Sequence, residues 1–212
     1  MNDHSSALIV IDMQRDFLDP GGYAATAGMD VVALRRPIPF IRVLLDQASN
    51  SGMLVVHTRE GHRPDLSDCP PAKLARSRQI GAEIGSKGPL GRLLVRGEYG
   101  HDFIDELQPQ SDEPVVDKPG YGAFHQTDLA QILETRGIHR LYICGVTTEV
   151  CVHSTLREAA DRGFECVLVA DACGSAHPAL HEAALQMVAV EGGIFGRVAE
   201  TQSVISAWGV SS

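Results

Sequence analysis

No stretch of this sequence is apolar for long enough to span a bilayer. Apolar runs such as Ala7-Leu8-Ile9-Val10-Ile11 and Leu141-Tyr142-Ile143-Cys144 fall far short of the roughly 18 residues a membrane helix needs, so no membrane partner is expected. Basic residues are in deficit. The chain carries 18 Lys and Arg against 27 Asp and Glu, a net charge of −9, and a surface of that sign repels nucleic-acid phosphates and anionic headgroups. The segment Met1 to Ser6 shows no basic stretch followed by an apolar one, so no secretory signal is expected and the cytoplasm is the expected location. Repeats, low-complexity tracts and long linkers are also missing, and 212 residues are close to the usual size of one domain. Residues 1–212 are therefore read as a single domain. The five cysteines (Cys69, Cys144, Cys151, Cys166 and Cys173) form no CxxC pair, and their number is odd. That is a poor disulfide framework, and the ordinary reading of each is a reduced, buried, small hydrophobe.

What is present is an alternation of strand and helix. Ala7 to Ile11, ended by Asp12, is the continuous apolar run of a strand buried on both faces. Met53 to Thr58, Pro114 to Lys118, Leu141 to Gly145 and Cys166 to Asp171 repeat the pattern. Helical spacing appears in the second half of 29–50 (Phe40, Val43, Leu44, Gln47), near 128–136 with Thr127 or Asp128 as cap and Gly137 as stop, over 150–162, and over 180–190 with Leu185 and Val188 on the apolar side. Residues 59 to about 110 are rich in Pro and Gly with little periodicity, the mark of a long excursion with short elements. Unalternating strands joined by helices imply an open parallel sheet with right-handed crossovers and helices on both faces, a three-layer α/β/α domain.

In such sheets ligands bind beyond the carboxyl ends of the strands. Asp12 ends the first strand and Lys118 the third, while the fourth runs through Gly145-Val146-Thr147-Thr148-Glu149-Val150 into Cys151 at the opening of a helix. The free N–H groups and dipole of a helix start favour an anion, and a neighbouring ammonium adds to the effect, so a lowered thiol pKa is expected at Cys151. Cys144 and Cys166 lie inside strands, Cys69 in a Pro-rich stretch, and Cys173 after the last strand. Taken singly, Asp12 could cap a turn and Lys118 could be a solvated charge. Together the three supply what a thiol nucleophile needs, a proton acceptor and a cation beside it.

The segments Leu8-Ile9-Val10-Ile11-Asp12-Met13-Gln14-Arg15-Asp16-Phe17, Asp117-Lys118-Pro119-Gly120-Tyr121-Gly122-Ala123-Phe124 and Cys144-Gly145-Val146-Thr147-Thr148-Glu149-Val150-Cys151-Val152-His153-Ser154-Thr155 resemble, in order and separation, the three signature segments of the isochorismatase-like cysteine hydrolases. The resemblance extends over nearly the whole chain. It implies a six-stranded, mainly parallel sheet flanked by helices and a catalytic triad of Asp12, Lys118 and Cys151. It also implies a cis peptide between Val146 and Thr147, an oxyanion hole from the Thr147 and Cys151 amides, and a homodimer or homotetramer.

Further segments narrow the implied substrate. Cys151 separates the chain from true isochorismatases, which lack the nucleophile and cleave a vinyl ether. Nicotinamidases carry a metal-binding Asp-x-His and a further His after the second strand; His57 and His62 are not at that spacing, so no metal and no cofactor are expected, and His57 reads as a core histidine. Thr58 to Lys73, Arg96 to Asp102 and Thr155 to Cys166 resemble the biuret and triuret hydrolases, with ureidoacrylate and N-carbamoylsarcosine amidohydrolases as nearby relatives. The implied reaction is loss of ammonia from a small ureido compound. Phe17 is either a pocket wall or a core residue. Glu191 stands where biuret-type relatives place a Gln that reads the distal amide, and an ionised carboxylate there would favour a distal group richer in N–H donors. The competing class is a non-catalytic binding or thiol-sensing protein on the same fold, and an intact triad stands against it.

Overall fold

A computed structural model describes residues 5–209. Six strands form one parallel sheet: β1 (Ser6–Ile11), β2 (Leu54–Glu60), β3 (Val115–Lys118), β4 (Arg140–Val146), β5 (Glu165–Gly174) and β6 (Arg197–Ala199). Their spatial order is β3-β2-β1-β4-β5-β6. Every residue of β1 and all of β4 after Arg140 is buried, which is why these central strands read as unbroken apolar runs. From β1 the chain steps outward to β2 and β3, then crosses back to β4 and steps the other way. Right-handed crossovers taken in opposite directions put helices on opposite faces.

The main helices are α1 (Ile38–Ser51), α2 (Pro71–Gln79), α3 (Leu129–Thr135), α4 (His153–Asp161), α5 (Pro178–Gly193) and α6 (Thr201–Trp208). In α1 the buried stripe is Ile41, Leu44, Leu45 and Ala48, while Phe40 and Val43 stay exposed. The core-facing register is thus displaced by about a residue from the spacing read in the sequence. Gly52, at φ 68°, closes this helix in the left-handed conformation that glycine reaches without cost. The excursion over 59–110 contains α2, a two-stranded antiparallel ribbon (Lys87–Gly88 with Gly91–Arg92) and short turns. No helix among the described residues is long and apolar enough to cross a membrane.

This topology reverses direction between β1 and β4, and such a reversal opens a crevice beyond the strand ends. Gly145 lets the two strands approach there. It sits at φ 118°, and a Cβ on it would lie 2.1 Å from the Ile11 carbonyl oxygen, so no other residue fits.

Candidate active site

Three elements deliver their last residues to this crevice. β1 ends at Ile11 and hands over to Asp12, which takes the left-handed conformation at φ 51°, a region Asp tolerates better than most residues. β3 ends at Lys118. β4 passes through Gly145 and a cis Val146–Thr147 peptide into a single wide π turn, Thr148–Val152, where the Val152 N–H donates to the Thr147 carbonyl. Insertions of this kind concentrate at functional sites. The turn presents Cys151 just ahead of α4. It is pinned by the Thr155 hydroxyl donating to the Cys151 carbonyl at 2.7 Å, and by a 2.9 Å hydrogen bond between Thr148 Oγ1 and His181 Nδ1 of α5.

Asp12 and Lys118 are fully buried, and Lys118 Nζ lies 2.8 Å from Asp12 Oδ2. The Thr58 hydroxyl donates to Asp12 Oδ1 at 2.6 Å, and Lys118 also donates to the Gly120 carbonyl at 3.0 Å. Glu60, the last residue of β2, completes the group. Its Oε2 accepts the Cys151 thiol at 3.1 Å and lies 3.4 Å from Lys118 Nζ, while its Oε1 lies 2.6 Å from Lys73 Nζ on α2. Gln14 clamps the Glu60 backbone, accepting its N–H at 2.7 Å and donating to its carbonyl at 3.0 Å. Two buried carboxylates thus face two buried ammonium groups, with the thiol at the edge.

Burial pushes the Asp12 carboxyl above the usual range, and Lys118 only partly opposes it. Burial acts on Glu60 in the same sense, but there Lys118 and Lys73 together prevail and hold it at about 2. Lys118 is driven the other way: burial favours its neutral form, yet Asp12, Cys151 and Glu60 keep it firmly protonated. Cys151 is held well above an ordinary thiol: burial is the largest cause, Lys118 opposes it, and the neighbouring Glu60 and Asp12 carboxylates add to the rise. The lowered thiol pKa expected from a helix start is therefore not found in the resting site. Desolvation and two nearby anions exceed a helix-end effect that is typically below about 1 kcal/mol.

A cavity of about 270 Å³ opens onto the thiol, walled by Phe17, Tyr23, Glu60, Arg76, Tyr121, Thr147 and Cys151. The structure thus brings Asp12, Lys118 and Cys151 together and places Thr147 and Phe17 on the cavity wall. Glu191 is not brought there. It is exposed, at φ 53°, in the kink where Val190, Glu191 and Gly192 leave helical geometry at the end of α5, and it does not line the cavity. His57 is fully buried and paired with Glu113 at 2.9 Å. Glu60 and Lys73 were missed by reading the sequence, and a sequence signal existed for the first. Glu60 is the last residue of its strand, four residues past the apolar run Met53–Val56, at the same carboxyl edge as Asp12 and Lys118. Among the described residues, Asp12, Glu60 and Cys151 are the set that could hold a cation, their ligand atoms lying within 4.8 Å of one another. Lys118 and Lys73 already offset the two carboxylates.

A buried Asp, Lys and Cys at the switch point of a doubly wound sheet, facing a small cavity, define a cysteine hydrolase. The isochorismatase domain model matches residues 6–203. The chain is 34% identical over 205 residues to ureidoacrylate amidohydrolase RutB of Acinetobacter baylyi, covering 95% of this chain and 82% of that protein. It is 36% identical to the protein of the same name from Yersinia enterocolitica over 82% of this chain and 77% of the relative. Among solved structures, a cysteine hydrolase from Pseudomonas syringae pv. phaseolicola superposes with a TM-score of 0.83 at 27% identity, covering 98% and 94% of the two chains. This chain belongs to the isochorismatase family.

Proposed function

We propose that this cysteine hydrolase cleaves the C–N bond of a small ureido or carbamoyl compound and releases ammonia through a thioester on Cys151. The observation that carries the reading is the clustering of Asp12, Lys118 and Cys151 around one buried point beside a small, mainly apolar cavity. Asp12 accepts the thiol proton as sulfur attacks the carbonyl carbon, and its raised affinity for protons suits it to that step. The Thr147 and Cys151 amides receive the developing oxyanion. Asp12 then hands the proton to the departing nitrogen, and water, deprotonated by the same carboxylate, opens the thioester. Lys118 stays protonated throughout and offsets the negative charge that accumulates.

The finer reading is a linear urea of the biuret or triuret type. A second, ureido acids such as ureidoacrylate or N-carbamoylsarcosine, is favoured by Arg76, a cation at the cavity wall whose guanidinium, among the described residues, makes one hydrogen bond, a 3.4 Å contact to Tyr121. The reading includes one domain over residues 1–212, action in the cytoplasm without a bound metal or cofactor, and a homodimer or homotetramer. For the last, the exposed Leu180, Met187 and Val190 of α5 supply apolar surface that a second copy would cover. Light scattering should then return a multiple of the 22.8 kDa chain mass.

The test is ammonia release from biuret, triuret, ureidoacrylate and N-carbamoylsarcosine by the wild type and Cys151→Ala. Release that vanishes in the variant supports the reading, and the ranking selects the substrate. No release from any of them would turn the assignment toward a binding or thiol-sensing protein.

A further inference from the structure

The reaction above leaves Glu60 without a part, although it touches the reacting sulfur. It is 3% exposed and fixed at both ends, by Gln14 on its backbone and by Lys73 and Lys118 on its carboxylate. It also forms part of the cavity wall. An ionised carboxylate held this way is a poor base and a committed hydrogen-bond acceptor. Asp12 is the opposite. Its Oδ2 faces Lys118 with no aligned hydrogen bond, and its proton affinity is raised. Both carboxylates have an oxygen within 4.8 Å of Cys151 Sγ, but in the resting site the thiol donates to Glu60.

A urea-type carbonyl carries nitrogen on both sides. With sulfur attacking the carbon and the oxygen directed at the Thr147 and Cys151 amides, the two nitrogens are left facing the two carboxylates. Resting on the ureido reading, we propose that Asp12 serves the nitrogen that leaves and Glu60 reads the N–H of the nitrogen that stays, exchanging its hydrogen bond from the Cys151 thiol for one from the substrate. That exchange frees the thiol to give its proton to Asp12. The S–H bond breaks as O–H forms on Asp12, S–C forms as the carbonyl pair moves to oxygen, and C–N then breaks as the proton passes to the departing amine. Nucleophile activation is thereby tied to a bound N–H donor, and the unliganded thiol stays protonated.

Two measurements test this. The first needs no substrate: modification of Cys151 by methyl methanethiosulfonate is followed by peptide mass mapping across pH in wild type, Glu60→Gln and Glu60→Asp. The charged groups facing Glu60 are Lys118 on β3, Lys73 on α2, Asp12 after β1 and Cys151 itself, with Tyr23, His62 and Cys69 also within electrostatic reach; all are retained in both variants. Removing the anion in Glu60→Gln, which keeps only a neutral amide oxygen as acceptor, should raise the rate at a given pH about tenfold, one unit of thiol pKa. Glu60→Asp, which keeps the charge, should stay near wild type. The second compares biuret with malonamide, in which CH2 replaces the bridging N–H. Wild type should prefer biuret by roughly ten- to a hundredfold in kcat/KM, the value of one hydrogen bond to a charged group, and Glu60→Gln should lose most of that preference. A Glu60→Gln thiol profile matching wild type, or a biuret preference left intact by the substitution, would overturn the proposal. If neither compound is hydrolysed, the ureido reading fails on its own, and the thiol profile still decides whether Glu60 restrains Cys151.

Discussion

Asp12 and Lys118 differ in what their loss should do, although they are 2.8 Å apart. In Asp12→Asn the amide oxygen can still accept the Thr58 hydroxyl that now bonds Oδ1, so the fold should survive. The variant cannot take a proton, and kcat should fall by roughly 10²–10⁴-fold, the usual worth of a positioned acid–base group; near-native thermal unfolding alongside lost turnover is the expected pair of results. In Lys118→Met the charge is lost instead. Asp12 and Glu60 are then buried close together with only Lys73 to offset them, and leaving a buried charge unpaired typically costs about 3–5 kcal/mol. Urea denaturation should show that loss at neutral pH. Partial recovery is expected at acid pH, because protonating Asp12 removes the uncompensated charge.

At the level of elements, legibility followed burial. β1, β2 and β4 are covered on both faces, and their apolar runs announced them; the triad was legible because it sits where those runs and β3 stop. β6 is three residues long and half exposed, so it had no hydrophobic signature, and it was implied only by resemblance to a six-stranded family. α2 was hidden for another reason. It is polar, it begins at Pro71 after Pro70, and among its residues only Lys73 and Ser77 are buried, so its inward face shows no apolar stripe. Its inward face is chemical: Lys73 Nζ bridges Glu60 and the Pro119 carbonyl at 2.7 Å and lies 4.9 Å from the centre of the Tyr121 ring. Replacing Lys73 by Met should therefore act on the site more than on packing. Stability should fall by about 2 kcal/mol, because Glu60 keeps Lys118, while kcat/KM should fall by roughly tenfold or more as Glu60 loses its anchor; a variant of unchanged activity would show that α2 is only a cover.

For the whole molecule, net charge gives a poor guide to pH stability. With −9 at pH 7 and a pI near 5.4, acidification should relieve self-repulsion and stabilise the fold. Two buried groups near Gly100 act more strongly and in opposite directions. His101 is 1% exposed, and burial depresses its pKa to about 4. Between pH 4 and 6.5 the unfolded chain binds a proton there that the folded chain refuses, so this contribution is lost as pH falls, by about 3 kcal/mol over the window. Asp16 accepts the Leu94 and Tyr23 backbone N–H groups, and burial raises it to about 6. Between about pH 4 and 6 the folded chain holds a proton there that the unfolded chain releases, so stability grows as pH falls, again by about 3 kcal/mol. The two nearly cancel, and their joint contribution to the urea midpoint of the wild type should be close to flat across this range. Single substitutions should expose the slopes: His101→Gln should gain stability on acidification from pH 6 to 4, and Asp16→Asn should lose it. Parallel midpoint curves for all three proteins would mean that neither group titrates across folding, and that the flatness has another origin.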